Sequence, residues 1–367
     1  MPIGANDMKK YSIATIEGDG IGPEICASAI QVIREACGDD KVAFEQAPGG
    51  ATHYQRTGDV LPAATFDLCV KSDAILHGAA GIPGVTYPDG TEVGNELHLQ
   101  LRSRLDLFAN VRPIKLYPGV RPLLTDERPI DYVIVRENTE GLYASRGAGV
   151  RLRDEVVSDT LMVTRRGVER VAKFSFELAR KRQGAPRDGK RRVTVCDKAN
   201  ILRSFAFFRA VCDEVAGGFP DVEIDYAYAD AITVHMLKRP DTFDVVVAEN
   251  MLGDILSDLG AATVGGLGIA ASAELGEQFG LFQAAHGSAP DIAGQNIASP
   301  LATVLSGAMM LRWLGLKHAD AALEGAAQRV ESAVENLLRA QRVVPRDLGG
   351  DAKCSEITDE LCRQLQK

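Results

Sequence analysis

Short apolar runs alternate with helical stretches along most of the chain, and this alternation restricts the fold more than any other feature. Residues 11–16 read as a buried strand, and Pro23 suits the first turn of the helix that follows. Residues 41–46 alternate like a second strand, and residues 73–76 form an apolar run ending in HGAAGIPG. The runs at 131–135, 192–196, 222–229 and 243–248 also read as strands. Helical spacing is present at 92–107, 166–182, 202–216 and 252–262. From Pro300 the pattern is almost wholly helical, over 301–314, 319–339 and from Ser355 on. Such alternation predicts an α/β fold with open sheets flanked by helices. A length of 367 residues exceeds what one core usually holds, which predicts two lobes. No internal repeat or low-complexity linker marks a boundary between them.

Composition argues mainly by exclusion. Hydrophobic residues at 46% and charged residues at 25% are ordinary for a globular chain and exclude long disorder. Lys and Arg number 41 against 50 Asp and Glu, a formal net charge of −9. That sign argues against nucleic-acid partners and anionic membranes, while leaving room for a local basic pocket. No window approaches the about 18 apolar residues of a membrane span. The N-terminus, MPIGANDMKKYSIATI, has no apolar core of signal-peptide length. Seven cysteines, with no C-x-x-C pair, predict reduced thiols and a cytoplasmic location.

Residues 17–24, EGDGIGPE, sit between a strand and a helix and invite a dinucleotide-binding reading, with Glu45 near the ribose-binding distance. The spacing is G-x-G-x-G rather than G-x-G-x-x-G. Glu17 and Asp19 also put negative charge where a pyrophosphate needs backbone N–H groups. A plain tight turn is the better reading.

Three constellations carry chemistry. Asp254 and Asp258 are spaced i, i+4 on an otherwise apolar helix, so both carboxylates share a face. Two hard oxygen ligands suit Mg²⁺ or Mn²⁺, and a solvated acidic face is the plain alternative. Arg102, Arg112 and Arg136 could clasp a di- or tricarboxylate; ordinary salt bridges to Glu137 or Asp106 serve equally well for any one of them. Lys198 follows the strand RVTVCD, where partial desolvation lowers an ammonium toward general-base range, and Tyr143 follows the Gly141–Leu142 turn as a possible proton donor. The segment from His286 through Gly287, Ser288, Ala289 and Pro290 to Asp291 is a loop that could hold an adenosine, or be a surface Pro-Asp turn.

Together these pieces resemble the β-decarboxylating dehydrogenases that act on isocitrate, 3-isopropylmalate, homoisocitrate and tartrate or D-malate. The matching stretches are GDGIGPE (18–24), LRSRLDLFANVRP (101–113), VRENTEGLY (135–143), CDKAN (196–200), ADAITVHML (229–237), ENMLGDILSD (249–258) and AAHGSAPDIAG (284–294). They cover nearly the whole chain in the family's order. The resemblance implies a two-domain isopropylmalate-dehydrogenase-like fold without a G-x-G-x-x-G fingerprint. Its large cofactor-binding domain would comprise residues 1–112 and 264–367, and its small domain, with the dimer interface, residues 113–263. It implies that Arg102, Arg112 and Arg136, with Asn200 and His98, bind a small hydroxy di- or tricarboxylate. Asp254 and Asp258, with Asp230 of a second subunit, would hold the metal. Lys198, also given across the homodimer, would be the base and Tyr143 the acid. NAD would lie against residues 286–294, through His286, Gly287, Ser288, Ala289, Pro290, Asp291 and Ile292, and against Asn296.

Some positions depart from particular members. Residues 138–141 read NTEG where isopropylmalate enzymes carry an LTGG-like sequence, Glu96 and His98 replace both the isocitrate and the isopropyl patterns, and Ser299 replaces an Asn before Pro300. Asp291-Ile292 stands where NADP⁺-using relatives carry Lys-Tyr, which implies NAD. His98 lies one helical turn before Arg102, beside Asn95, which predicts a small or polar substrate substituent. The favoured reading is an NAD- and metal-dependent oxidative decarboxylase of a (2R)-malate-type 2-hydroxy acid. The alternative is a non-catalytic regulatory subunit or ligand-binding paralogue, for which Tyr143, Lys198 and the three aspartates would be superfluous.

Overall fold

The computed structural model describes residues 9–38, 40–88, 90–94, 96–123 and 128–366. Residues 1–8 of the N-terminal reading and Asn95 lie outside the described residues. In chain order the strands are β1 (Tyr11–Gly18), β2 (Val42–Gln46), β3 (Ala74–Ala79), β4 (Ala109–Lys115), β5 (Asp131–Glu137), β6 (Val150–Leu152), β7 (Val156–Ser158), β8 (Arg192–Asp197), β9 (Glu223–Tyr228), β10 (Val245–Ala248), β11 (Ala271–Leu275) and β12 (Gly280–Ala284). The helices are α1 (Gly22–Cys37), α2 (Ala51–Thr57), α3 (Ala63–Lys71), α4 (Glu96–Arg104), α5 (Arg165–Lys181), α6 (Arg203–Ala216), α7 (Ala229–Lys238), α8 (Asn250–Thr263), α9 (Leu301–His318), α10 (Ala321–Ala340) and α11 (Cys354–Leu365). The α/β class is as expected. The helix expected over 92–107 is confined to α4: Gly94 packs its Cα against Gly81, and Asp106 takes a positive φ of 49°.

Two compact units share the chain: Met1–Gln100 with Phe279–Lys367, and Leu101–Gln278. These limits differ from the expected 112/113 and 263/264. The reason is pairing: β4 and β11, which the expected limits cut or exclude, hydrogen-bond to each other, and β4 pairs with β5, all inside the second unit. In the first unit β2, β1, β3 and β12 lie side by side and parallel. Ile13, Ile16, Leu76 and Phe282 are buried there, and helices α1, α9, α10 and α11 pack on one another. In the second unit the order is β11-β4-β5-β10-β8-β9, antiparallel across β4 and parallel from β5 onward. A separate antiparallel pair, β6–β7, exposes Val150, Leu152, Val156 and Val157.

The glycine loop after β1 is closed by an internal anion. The buried Asp19 carboxylate accepts from the backbone N–H of Ala51 (2.8 Å), Thr52 (2.7 Å) and Gly81 (2.8 Å). A cradle of this kind holds a phosphate in dinucleotide-binding folds; here a side chain of the same chain fills it. Gly20 comes so close to the next loop that a Cβ would stand 2.0 Å from the Ser288 carbonyl, and Ile21 donates to that carbonyl at 2.8 Å. The loop is therefore a packing device, in line with the electrostatic objection raised from the sequence. Asp19→Ala strands three N–H groups around a buried gap. It should lower the unfolding free energy by about 2–5 kcal/mol. Chemical denaturation checks this, and a loss below about 1 kcal/mol would mean that water replaces the carboxylate at little cost.

Candidate functional site

Three neighbouring strands of the second unit set the site. Register places Glu274 of β11 opposite Asn110 of β4, and Asn110 opposite Arg136 of β5, so the three form one cross-strand row. Arg112 lies two residues along β4 and therefore on the same face. Helix α8 packs on β4 and β5. It approaches closely because residue 253 is glycine: a Cβ there would stand 2.7 Å from Arg136 Cβ. Both aspartates of GDILSD are thereby brought near the arginines, Asp254 about one third exposed and Asp258 more than half exposed.

Each guanidinium has a defined acceptor. Arg102 at the end of α4 gives a two-pronged fork to Glu274, Nε at 2.8 Å and Nη2 at 2.6 Å. Arg112 donates to Ser257 Oγ (2.6 Å) and Asn110 Oδ1 (3.3 Å), and reaches Asp254 (3.3 Å) and Asp258 (3.5 Å). Arg136 is almost wholly buried; it donates to Asn250 Oδ1 from Nε (2.9 Å) and Nη2 (2.6 Å), and to Asp254. The alternative partners do other things. Asp106 pairs with Arg170, and Glu137 accepts from the backbone of Thr139 and Glu140. Burial, with Arg102 and Arg112 alongside, pulls the Arg136 guanidinium down to about 9, still charged near neutrality. Burial raises the Asp258 carboxyl, against the pull of Arg112 and with the push of Asp254. Three cations and their acids are thus crowded together, and each shifts the ionisation of its neighbours.

Tyr143 begins a short 3₁₀ turn after β5, entered through Gly141 at a φ of 78°. Its hydroxyl donates to Asp254 Oδ2 at 3.2 Å and its ring stands over Arg136, 5.4 Å from ring centroid to guanidinium. Burial first, then the Asp254 charge, raises its pKa, so the phenol keeps its proton. Asn250, which aligns Arg136, is fixed in turn by donating to the Glu140 carbonyl at 2.9 Å. Sequence reading missed Glu274, Asn110, Asn250 and Ser257. A charged residue inside the small apolar run ASAEL was the available signal for Glu274.

Other expected residues stand elsewhere. Lys198 lies past the end of β8 and pairs with Asp230 at the start of α7, with side-chain exposures of 30% and 72%. Lys198 is thus partly buried within one chain, with Asp230 as its partner. Among the described residues no three His, Cys, Asp or Glu side chains converge as a metal set, so Asp230 does not join Asp254 and Asp258 in a single chain. Asn200 is exposed in the turn after β8. His98 turns onto His77, ring edge to face at 4.7 Å, within the first unit. Val93 and Leu97 are fully buried there.

The loop from His286 belongs to the first unit. Burial lowers the His286 pKa and favours the neutral ring, whose Nδ1 is 2.9 Å from the Gly287 carbonyl. Buried Ser288 donates to the Gly81 carbonyl, Ala289 takes a positive φ of 38°, and Ile292 packs with Ile21, Ile25 and Ala298. Gly287, Pro290 and Asp291 are exposed. Asn296 is committed to α11: its amide donates to Ser355 Oγ (2.9 Å) and its Oδ1 accepts from the Ser355 N–H (3.0 Å).

Three arginines, their paired acids and a tyrosine hydroxyl thus meet on an α/β scaffold, and similarity gives the chain a family. The profile described as isocitrate/isopropylmalate dehydrogenase matches residues 12–361. A 3-isopropylmalate/3-methylmalate dehydrogenase of Methanocaldococcus jannaschii is 42% identical, over 97% of this chain and 99% of that protein. A probable tartrate dehydrogenase/decarboxylase of Agrobacterium vitis is 39% identical, over 98% of each. The crystal structure of isocitrate dehydrogenase from Methylococcus capsulatus superposes with a TM-score of 0.85 at 34% identity, covering 97% of this chain and all of that one. The chain belongs to the isocitrate/isopropylmalate dehydrogenase family, whose members are decarboxylating dehydrogenases.

Glu249, the N-cap of α8, yields a pH prediction. Burial raises its carboxyl above the usual 4.5, and its Oε1 has no hydrogen-bond partner among the described residues. The folded state then binds protons more tightly than the unfolded one, so stability falls as pH rises from about 4.5 through the raised folded value. Glu249→Gln keeps an acceptor for the Leu252 N–H and removes the charge. Denaturation at a series of pH values should show a shallower loss across that window. Identical slopes in both proteins would remove Glu249 from the account.

Proposed function

We propose that this chain is an NAD-dependent, divalent-metal-dependent oxidative decarboxylase of a (2R)-malate-type 2-hydroxy acid. The observation that carries the reading is the convergence of Arg112 and Arg136 on Asp254, with the Tyr143 hydroxyl on the same carboxylate. The arginines fix the substrate carboxylates and so orient C2 and its hydroxyl. Asp254 and Asp258, two hard oxygen donors on one helix turn and partly open to solvent, suit Mg²⁺ or Mn²⁺, completed by the partner subunit's Asp230. When bound, that cation supplies Lewis-acid stabilisation of negative charge on the C2 oxygen. The partner subunit's Lys198 takes the hydroxyl proton, and Tyr143 returns a proton to carbon after CO₂ departs. NAD⁺ would be held at the His286 loop and would supply the hydride acceptor; a neutral imidazole there suits stacking on a base, and the exposed Asp291 suits ribose hydroxyls over a 2′-phosphate. His98, turned onto His77, lends the predicted polar substituent no support.

A homodimer agrees with the exposed apolar residues of the second unit: Val150, Leu152, Val156 and Val157 on β6–β7, Val234 and Leu237 on α7, and Ile255 on α8. Free cysteines, all but Cys37 buried, agree with a reducing, cytoplasmic setting.

The test is reduction of NAD⁺ with a panel of 2-hydroxy di- and tricarboxylates. Activity should vanish in excess chelator and return with Mn²⁺. Asp254→Asn should lower kcat on the order of a hundredfold or more. Light scattering should find a dimer, and NADP⁺ should be the poorer cofactor. No turnover with any acid would favour the regulatory-subunit alternative, and full activity in chelator would reject the metal role.

A further inference from the structure

We infer that Glu274 is a specificity-determining residue that restricts the site to dicarboxylates, an inference that rests on the substrate reading above. Of the three arginines, Arg102 alone has its fork filled by a fully buried carboxylate. Nε and Nη2 both donate to Glu274, whose oxygens also take long contacts from Asn110 Nδ2 (3.4 Å) and Asn138 Nδ2 (3.3 Å). Asp254 and Asp258 are different: their side chains are about a third and over half exposed, so they can exchange an arginine for another cation. Glu274 has no exposure. Leaving it without Arg102 would strand a buried charge, so a ligand does not displace it. Arg102 therefore faces a ligand with its remaining Nη1 edge and without its net charge.

Charge counting turns this into selectivity. Arg102, Arg112 and Arg136 are balanced by Glu274, Asp254 and Asp258 within the same unit. A divalent cation adds two positive charges, which two ligand carboxylates neutralise. The partner subunit's Lys198 and the partner subunit's Asp230 together add no net charge, so a third carboxylate enters the site in excess of the balance. With an uncharged residue at 274, the Arg102 charge becomes available, and a tricarboxylate is balanced. The third substituent of the favoured ligand is accordingly uncharged, whatever its size.

The experiment compares wild type, Glu274→Gln and Glu274→Asp at fixed salt and with Mg²⁺. Calorimetry gives Kd for succinate and for propane-1,2,3-tricarboxylate, neither of which has a hydroxyl to oxidise. Turnover of D-malate and of isocitrate gives a second ratio. Wild type and Glu274→Asp should favour the dicarboxylate in both assays. Glu274→Gln should shift both ratios toward the tricarboxylate by about tenfold or more, the effect of about 1.4 kcal/mol. An unchanged ratio in Glu274→Gln, or a wild-type preference for the tricarboxylate, overturns the inference. Glu274→Asn replaces the glutamine variant if that protein does not fold. Failure of the dehydrogenase reading is seen separately, as absence of turnover with every acid, while the binding ratio still judges Glu274.

Discussion

Three guanidinium groups under one helix are the constraint around which the second unit is arranged. Like charges that close repel, and burial strips them of water, so each must be given an acid and each acid a position. Sheet register supplies Glu274 and Asn110 beside Arg136, and α8 supplies Asp254, Ser257 and Asp258. The helix can come near enough only because residue 253 has no side chain. Asn250 and the Glu140 carbonyl then lock Arg136 from the other side. A site arranged in this way holds its cations at fixed positions before any ligand arrives, which is the form of preorganisation that favours charge development during a reaction.

The first unit solves the opposite problem with one anion. Backbone N–H groups of Ala51, Thr52 and Gly81 converge at the ends of β1 and β3, where related α/β folds bring in a phosphate. Asp19 satisfies them from within the chain. The glycines of the same loop serve close contact with the Ser288 loop, which is why their spacing mimics a nucleotide fingerprint without being one.

The α/β alternation and most elements were legible because their apolar runs are bounded by Gly, Pro or caps. β5, β8, α1 and α8 fall within a few residues of the sequence reading. β4 was not, because Pro113 sits inside it and removes a donor, which argues against a strand when only local pattern is considered. β11 and β12 escaped because alanine, serine and glycine give little strand signal; their place is set by partners distant in sequence. Of the site, Arg112, Arg136, Asp254 and Asp258 were readable from residue type and spacing. The remaining acceptors were not: Glu274, for one, reaches Arg102 only through the register of β11 on β4. His98 shows the limit of helix-face arguments: one turn from Arg102 along α4, it is claimed by His77.

The division of the chain also has a consequence for how it folds. The second unit is a continuous stretch, so every strand it needs has emerged once Gln278 has been made. The first unit draws on both chain ends, and β3 waits for β12: Ile75 pairs with Leu281. That pairing closes a loop which contains the whole second unit, and long loops are closed at an entropic disadvantage unless their interior is already compact. On a ribosome the middle of this chain is therefore the part able to fold first, and the strands β1 to β3 stay without their last neighbour until the final third of the protein appears.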